Sequence, residues 1–390
     1  MKIFISTGEV SGDLQGALLV TALKRQAVAA GLELEIVGLG GQRMAEAGAT
    51  ILADTVGIGS MGIIESLPYI WPTIKVQQKA KEYLKNFPPD AVVLIDYLTP
   101  NLGIGSYIRR CLPSLPVLWF IAPQEWVWSI SPRNTSLIVH ICDRILAIFP
   151  EEARYFEKKG AQVSWVGHPL VDRMQSAPSR EVARKTLGIG PEQVSIALIP
   201  ASRRQELSYL MPVIFEAAQI IQAKLPQVHF WIPLALEAYR DAIERAIEHY
   251  GLRATLLDNQ TLEILAAADL AITKSGTVNL EIALLDVPQV VAYRVSPITA
   301  WIARHILKFS IPFMSPPNLV QMKSIVPELL QDEATAENLV SHAVELLLNA
   351  DRRQQTLAGY REMREHLGEV GVCDRAASEI MKYLKLNRAN

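Results

Sequence analysis

The run Ala91-Val92-Val93-Leu94-Ile95-Asp96 decides the fold. Consecutive apolar, largely β-branched residues without alternation read as a strand buried on both faces, the signature of a parallel sheet covered by helices. The run ends on a carboxylate, at the edge where open α/β sheets place their ligands. Working outward, Lys2–Ser6, Glu35–Leu39, Val117–Ile121, Arg144–Phe149 and Val163–Val166 are predicted strands. Asp13–Ala29, Pro72–Asn86, Leu102–Cys111 and Glu151–Lys159 are predicted helices. A charge-rich stretch from Asp172 to Gln193 interrupts this rhythm and reads as a linker. The alternation then resumes with strands Ser195–Ile199, Val228–Pro233, Ala254–Leu257, Leu270–Thr273 and Gln289–Tyr293. The intervening helices are Arg204–Lys224, Ala235–Tyr250, Thr261–Ala267 and Val278–Leu285, and from Pro327 the pattern is helical to the end. Two successive βαβ arrays predict an α/β protein of two Rossmann-like, doubly wound domains facing a cleft, with boundaries at 1–174 and 175–350 and a helical tail at 351–390.

The composition narrows the function. In 390 residues, 38 basic and 40 acidic side chains leave a net charge of −2, without the basic excess that a dedicated nucleic-acid binder needs. Three widely spaced cysteines, with no Cys-x-x-Cys and no His-Glu-x-x-His, point away from a disulfide framework or zinc site and toward a reducing cytoplasm. The apolar run after Met1-Lys2 is too short for a signal peptide. The uncharged stretch Cys111–Gln124 is broken by three prolines and is too short to span a bilayer, so no membrane crossing is expected.

Two glycine-bearing loops and one basic loop carry the chemistry. The first strand runs into Thr7-Gly8-Glu9-Val10-Ser11-Gly12-Asp13, whose spacing matches neither a dinucleotide fingerprint nor a P-loop. Its carboxylates repel an anion, so sugar hydroxyls rather than pyrophosphate are expected there, and Ser11 or Asp13 is a candidate helix cap. In the second half, Pro200-Ala201-Ser202-Arg203-Arg204-Gln205-Glu206 and Lys274-Ser275-Gly276-Thr277 each join a strand to a helix. Both aim backbone N–H groups at an anion. Arg203 adds a forked cation, and Glu281 is placed to accept from two ribose hydroxyls, so a nucleoside diphosphate is the expected ligand. No Asp-x-Asp is present, which predicts metal-independent stabilisation of the leaving group and no cofactor. Asp96 is the candidate general base for a sugar hydroxyl. His168, in Gly167-His168-Pro169, reads as a packing or hinge residue.

Two apolar stretches are candidate lipid surfaces. Ile58–Trp71 carries one charge, Glu65, around Met61, and Ile298–Phe313 carries Arg304 and Lys308 on one helical face.

Taken in order, these residues resemble the lipid-A-disaccharide synthase family, glycosyltransferases of GT-B architecture. The resemblance runs from Gly8–Asp13 through Met61-Gly62-Ile63, Pro89-Asp90, Ile95-Asp96, Trp126-Val127-Trp128, Val166–Leu170, Ser202-Arg203, Ser275–Thr277, Leu280-Glu281, Tyr293-Arg294 and Pro317-Asn318-Leu319 to Pro327–Gln331. It implies an inverting transfer from UDP-2,3-diacylglucosamine to 2,3-diacylglucosamine 1-phosphate. Asp96 and Arg203 would be catalytic. Ser202, Arg203, Ser275, Gly276, Thr277, Glu281 and Asn318 would hold UDP, and Glu9, Ser11, Gly12, Asp13, Met61, Glu65 and Asn101 the lipid acceptor. It also implies a homodimer with exchanged C-terminal helices, attached peripherally to the inner face of the cytoplasmic membrane. The sequence departs from the family pattern at Thr99, Ala122 and Ala201. The competing expectations are an enzyme like UDP-N-acetylglucosamine 2-epimerase and a non-catalytic homologue that binds a UDP-sugar or lipid.

Overall fold

Strands β1 (Lys2–Ser6), β2 (Glu35–Gly40), β3 (Thr50–Asp54), β4 (Ala91–Ile95), β5 (Val117–Phe120), β6 (Arg144–Ala147) and β7 (Val163–Trp165) form one parallel sheet in the order β3-β2-β1-β4-β5-β6-β7. In this computed structural model, residues 1–58, 67–127, 131–305 and 311–389 are described. All of β4 is fully buried, as its unbroken apolar run requires. β1 pairs with β4 through Ser6 and Leu94, and the strand order reverses between these two strands. The carboxyl ends of β1 and β4 therefore flank the topological switch point, where such sheets bind ligands.

Strands β8 (Val194–Ile199), β9 (Val228–Pro233), β10 (Ala254–Leu257), β11 (Leu270–Lys274), β12 (Gln289–Tyr293) and β13 (Glu328–Leu330) form a second parallel sheet, ordered β10-β9-β8-β11-β12-β13. Its switch point lies between β8 and β11, so the Ala201–Arg203 and Ser275–Thr277 loops leave neighbouring strands at the same edge. A core on one side of this sheet is built from Ile196, Leu198, Phe215, Phe230, Ile272 and Leu339.

The chain divides into two compact units, Met1–Asp172 with Leu367–Asn390, and Arg173–His366. The expected boundaries at 174 and 350 thus fall two residues late and a helix early, because the helix Ala350–Leu367 belongs with the second sheet. Only the last helix, Val372–Ala389, returns to the first unit, where it lies on the chain's own helix Glu9–Ala29. Arg25 pairs with Asp374 at 2.6 Å there. The Asp172 carboxylate caps this last helix, accepting from the N–H groups of Gly371, Val372 and Cys373.

Three local expectations fail for identifiable reasons. The segment after Pro327 is not purely helical, since Glu328–Leu330 pairs with β12 as an edge strand. The stretch Arg204–Lys224 is two helices, Arg204–Tyr209 and Met211–Lys224. Pro212 has no N–H, and its ring would clash with the carbonyl of Ser208, so the helix restarts with proline in its first turn. The first helix begins at Glu9 rather than Asp13, with Gly8 as an N-cap that makes no side-chain capping bond.

Candidate active site

At the first switch point, Asp96 follows β4 with φ +44°, and Tyr97 follows with φ +52°. Two consecutive left-handed residues cost of order 1–3 kcal/mol each and persist only where the surroundings impose them. Asn101 supplies part of that constraint. It is fully buried, and its Nδ2 donates to the carbonyls of Asp96 at 2.7 Å and Ile95 at 3.1 Å. Its Oδ1 accepts from the Ser6 hydroxyl at 2.7 Å, tying β1 to the end of β4. The Asp96 N–H donates to the Ile121 carbonyl at 3.0 Å. The result is an exposed carboxylate on a fixed backbone beside the glycine loop. Asn101, expected among the acceptor ligands, is therefore bonded within the frame that holds Asp96.

The glycine loop is closely packed by the protein itself. A side chain at Gly8 would meet the Tyr97 ring at 2.7 Å, and one at Gly12 would meet the Thr7 hydroxyl, so protein rather than ligand makes the close approach at both. Asp13 is buried and caps the short helix Gln42–Glu46, accepting from Gly41 N at 2.7 Å and from Arg43 N and Met44 N at 3.1 Å. It does not cap its own helix, and both of its oxygens accept from that neighbouring helix start. Glu9 and Ser11 are half-exposed in the first turn of the helix. Met61 and Glu65 lie outside the described residues, as do Trp128 and the 306–310 part of the second apolar stretch.

Nearby, Glu152 is buried in the helix Pro150–Lys158 and was not singled out from the sequence. Burial, with a smaller contribution from Asp96, pushes its carboxyl up to about 8 against three backbone N–H groups that pull it down. His168 is buried, and burial holds it down to about 3, so it is neutral. Its Nδ1 accepts from Leu170 N at 3.2 Å and its ring packs tilted against Phe149, 5.5 Å between centroids, as a packing residue does.

At the second switch point, the basic loop is organised around Glu206. Its Oε2 accepts from Ser202 N at 2.6 Å, Ser202 Oγ at 3.3 Å and Arg203 N at 3.0 Å, while Oε1 faces Arg203 Nη1 at 3.3 Å. Burial alone would raise the Glu206 carboxyl, but Lys274, Arg203 and the two backbone N–H groups outweigh it and leave it below the ordinary value. Lys274 is itself buried at the end of β11. Glu206 thus lies against Ser202 and Arg203, with Lys274 close enough to act on its charge. The signal for Glu206 was its spacing, three residues after the N-cap.

The Ser275–Thr277 turn is held by the protein. Ser275 Oγ donates to the Met314 carbonyl at 2.7 Å and Gly276 N to Asn279 Oδ1 at 2.7 Å, whereas Thr277 makes no side-chain capping bond. Glu281, expected to take ribose hydroxyls, is buried with Oε1 2.8 Å from Arg173 Nε, a partner the sequence did not reveal. Asn318 is buried, and both ends of its amide are in use. Oδ1 accepts from Ile325 N and Val326 N, and Nδ2 donates to the Val326 carbonyl and Glu328 Oε1. Among the described residues, no cluster of three or more His, Cys, Asp or Glu could hold a metal.

Two doubly wound parallel sheets, each with its own switch point, define the GT-B class of α/β fold. Solved structures share it. A UDP-GlcNAc 2-epimerase from Neisseria meningitidis bound to UDP-GlcNAc aligns with a TM-score of 0.67 at 13% identity, over 98% of this chain and 100% of that one. CalG4, the calicheamicin glycosyltransferase, aligns at 0.58 and 15% identity over 98% of each chain. Such low identities speak for the fold alone. Sequence goes further, because the family model described as lipid-A-disaccharide synthetase matches residues 3–382. A protein from Gloeothece citriformis named lipid-A-disaccharide synthase is 61% identical over 98% of this chain and 100% of its own. One so named from Synechocystis is 56% identical over 98% of each. The chain belongs to the lipid-A-disaccharide synthase family, and it is a hexosyltransferase rather than an epimerase.

Proposed function

We propose that the chain transfers 2,3-diacylglucosamine from UDP to a hydroxyl of 2,3-diacylglucosamine 1-phosphate, inverting the anomeric centre. The observation that carries this is Asp96, an exposed carboxylate fixed at a switch point by Asn101 and Ile121. Asp96 accepts the proton of the acceptor hydroxyl as its oxygen bonds to the anomeric carbon. The bond from that carbon to the β-phosphate oxygen breaks, and UDP leaves with the electron pair. Arg203 and Lys274 are the cations for the charge that develops on the diphosphate, the chemistry a chelated metal would otherwise supply. Glu206 keeps the Ser202 and Arg203 amides ordered until phosphate oxygens compete for them.

A family named for lipid A implies acylated substrates, and the surface supports this. Leu67, Ile70, Trp71 and Ile74 are exposed large apolar side chains spaced three, four and seven residues apart, as one helical face requires. Ile298 and Trp301 expose two more in the second unit. No helix among the described residues is long and apolar enough to cross a membrane. We assign these faces to peripheral contact with a bilayer at the inner face of the cytoplasmic membrane. A homodimer is part of the same proposal. If it exchanges its C-terminal helices, the face of Val372–Ala389 now on Glu9–Ala29 would rest on the partner's copy, which sedimentation and crosslinking through Asp374 test.

The decisive assay supplies both acylated substrates and follows UDP release. Asp96→Asn is expected to lower turnover by about 10²-fold while keeping UDP affinity. Arg203→Ala should weaken both, and chelator should change neither. Near-normal turnover in Asp96→Asn removes Asp96 from the mechanism, and UDP release without acceptor would favour hydrolysis.

A further inference from the structure

The contacts that hold Asp96 extend beyond Asn101. Its N–H donates to the carbonyl of Ile121, which is itself left-handed at φ +60°. A β-branched residue keeps that conformation only under constraint. The constraint is visible one residue on, where Ala122 N donates to Glu152 Oε1 at 3.0 Å. Glu152 Oε2 accepts from Ile148 N at 2.8 Å and Phe149 N at 3.2 Å. The Phe149 bond is the glutamate half of a capping box at the start of the helix Pro150–Lys158, Phe149 having no side-chain acceptor to return it. The Ala122 bond serves no cap. It joins the end of β5 to a carboxyl anchored after β6, and a buried carboxyl carries a desolvation cost that a capping box on the surface avoids.

We propose that Glu152 is a positioning residue for Asp96: by holding Ala122 it locks the Ile121 turn, whose carbonyl fixes the Asp96 backbone. This rests on Asp96 being the base. Glu152 touches no substrate, and it acts on turnover only through Asp96.

Glu152→Gln tests the link selectively. Gln places its oxygen on the two N–H groups after β6 and turns its NH2 toward Ala122 N, donor against donor, so the bond to the turn is the one lost. With UDP-diacylglucosamine and the acylated acceptor, kcat is expected to fall between about 10-fold and 100-fold, the range for misplacing a reacting group by an ångström. The donor KM should stay within about twofold. The discriminating readout is a double-mutant cycle. In the Asp96→Asn background, Glu152→Gln should cost nothing further. An equal loss in both backgrounds would make Glu152 merely structural and overturn the proposal. If Asp96→Asn alone turns over normally, the assignment of the base fails first, a separate and visible result. Should Glu152→Gln not fold, Glu152→Asp goes through the same cycle with the same outcomes, its shorter arm withdrawing the acceptor from Ala122.

Discussion

Replacing Asn101 by alanine would take a short hydrogen bond from three buried or part-buried groups at once, and a longer one from the Ser6 carbonyl. The Ser6 hydroxyl loses its acceptor at 2.7 Å, and the carbonyls of Asp96 and Ile95 lose a donor at 2.7 and 3.1 Å. A buried polar group left unpaired costs about 1–3 kcal/mol. The Ser6 hydroxyl can turn elsewhere, so two full penalties and part of a third give about 3–6 kcal/mol. Against a typical domain stability of about 5–15 kcal/mol that is a large fraction. With an m-value near ~2 kcal/mol/M, the urea midpoint of the first unit should fall by about 1.5–3 M at unchanged m. Circular dichroism through a urea titration measures this, and the same samples report kcat below the transition. Turnover should fall as well, because the left-handed Asp96 loses one of its two backbone restraints. A midpoint that moves less than about 0.3 M while acceptor KM rises tenfold would refute the reasoning. Asn101 would then be a ligand for substrate, as its sequence position first implied.

Two more outcomes follow from the buried polar groups. Asn318→Ala leaves two N–H groups and a carbonyl unpaired, so unfolding should become easier by about 3–6 kcal/mol while UDP affinity, measured by calorimetry on the folded protein, stays within about twofold. A tenfold loss of UDP affinity without loss of stability would return Asn318 to the nucleotide site. His168 is held at about 3 against an ordinary 6.5. Between those values the unfolded chain binds a proton that the folded chain refuses, so this contribution is whole above pH 6.5 and is lost as pH falls toward 3. The slope is at most about 1.4 kcal/mol per pH unit. His168→Asn keeps an acceptor for Leu170 N but does not titrate, so it should lose about 2–3 kcal/mol less than the parent between pH 7 and pH 4.5. Equal losses in urea unfolding at the two pH values would refute the buried, neutral histidine.

What the sequence shows and hides follows from the range of the forces involved. The buried strands are legible because burial on both faces demands an unbroken apolar run, which β4 and β8 carry in their own residues. β3 was missed because an edge strand with half-exposed residues needs no such run, and β13 because three residues are too few to show a period. The loops at both switch points were also legible, since glycine, serine and arginine between strand and helix are local patterns. Their use was less so. Residue type marks Asp13, Asn101, Glu281 and Asn318 as polar groups worth a ligand, but not which backbone N–H or cation will reach them.

The sequence by itself determined two parallel sheets, their order of elements, the carboxylate after β4 and the basic loop after β8, because periodicity and turn chemistry act between near neighbours. Only the tertiary structure decided that Asn101 and Asn318 are braces, that Arg173 takes Glu281 and that Glu152 reaches the turn beside Asp96. The pairings Arg173–Glu281, Glu152–Ala122 and Asn101–Ser6 join residues far apart in the chain. A buried polar atom takes whichever partner folding brings within 3 Å, and nothing in the local sequence records who that will be.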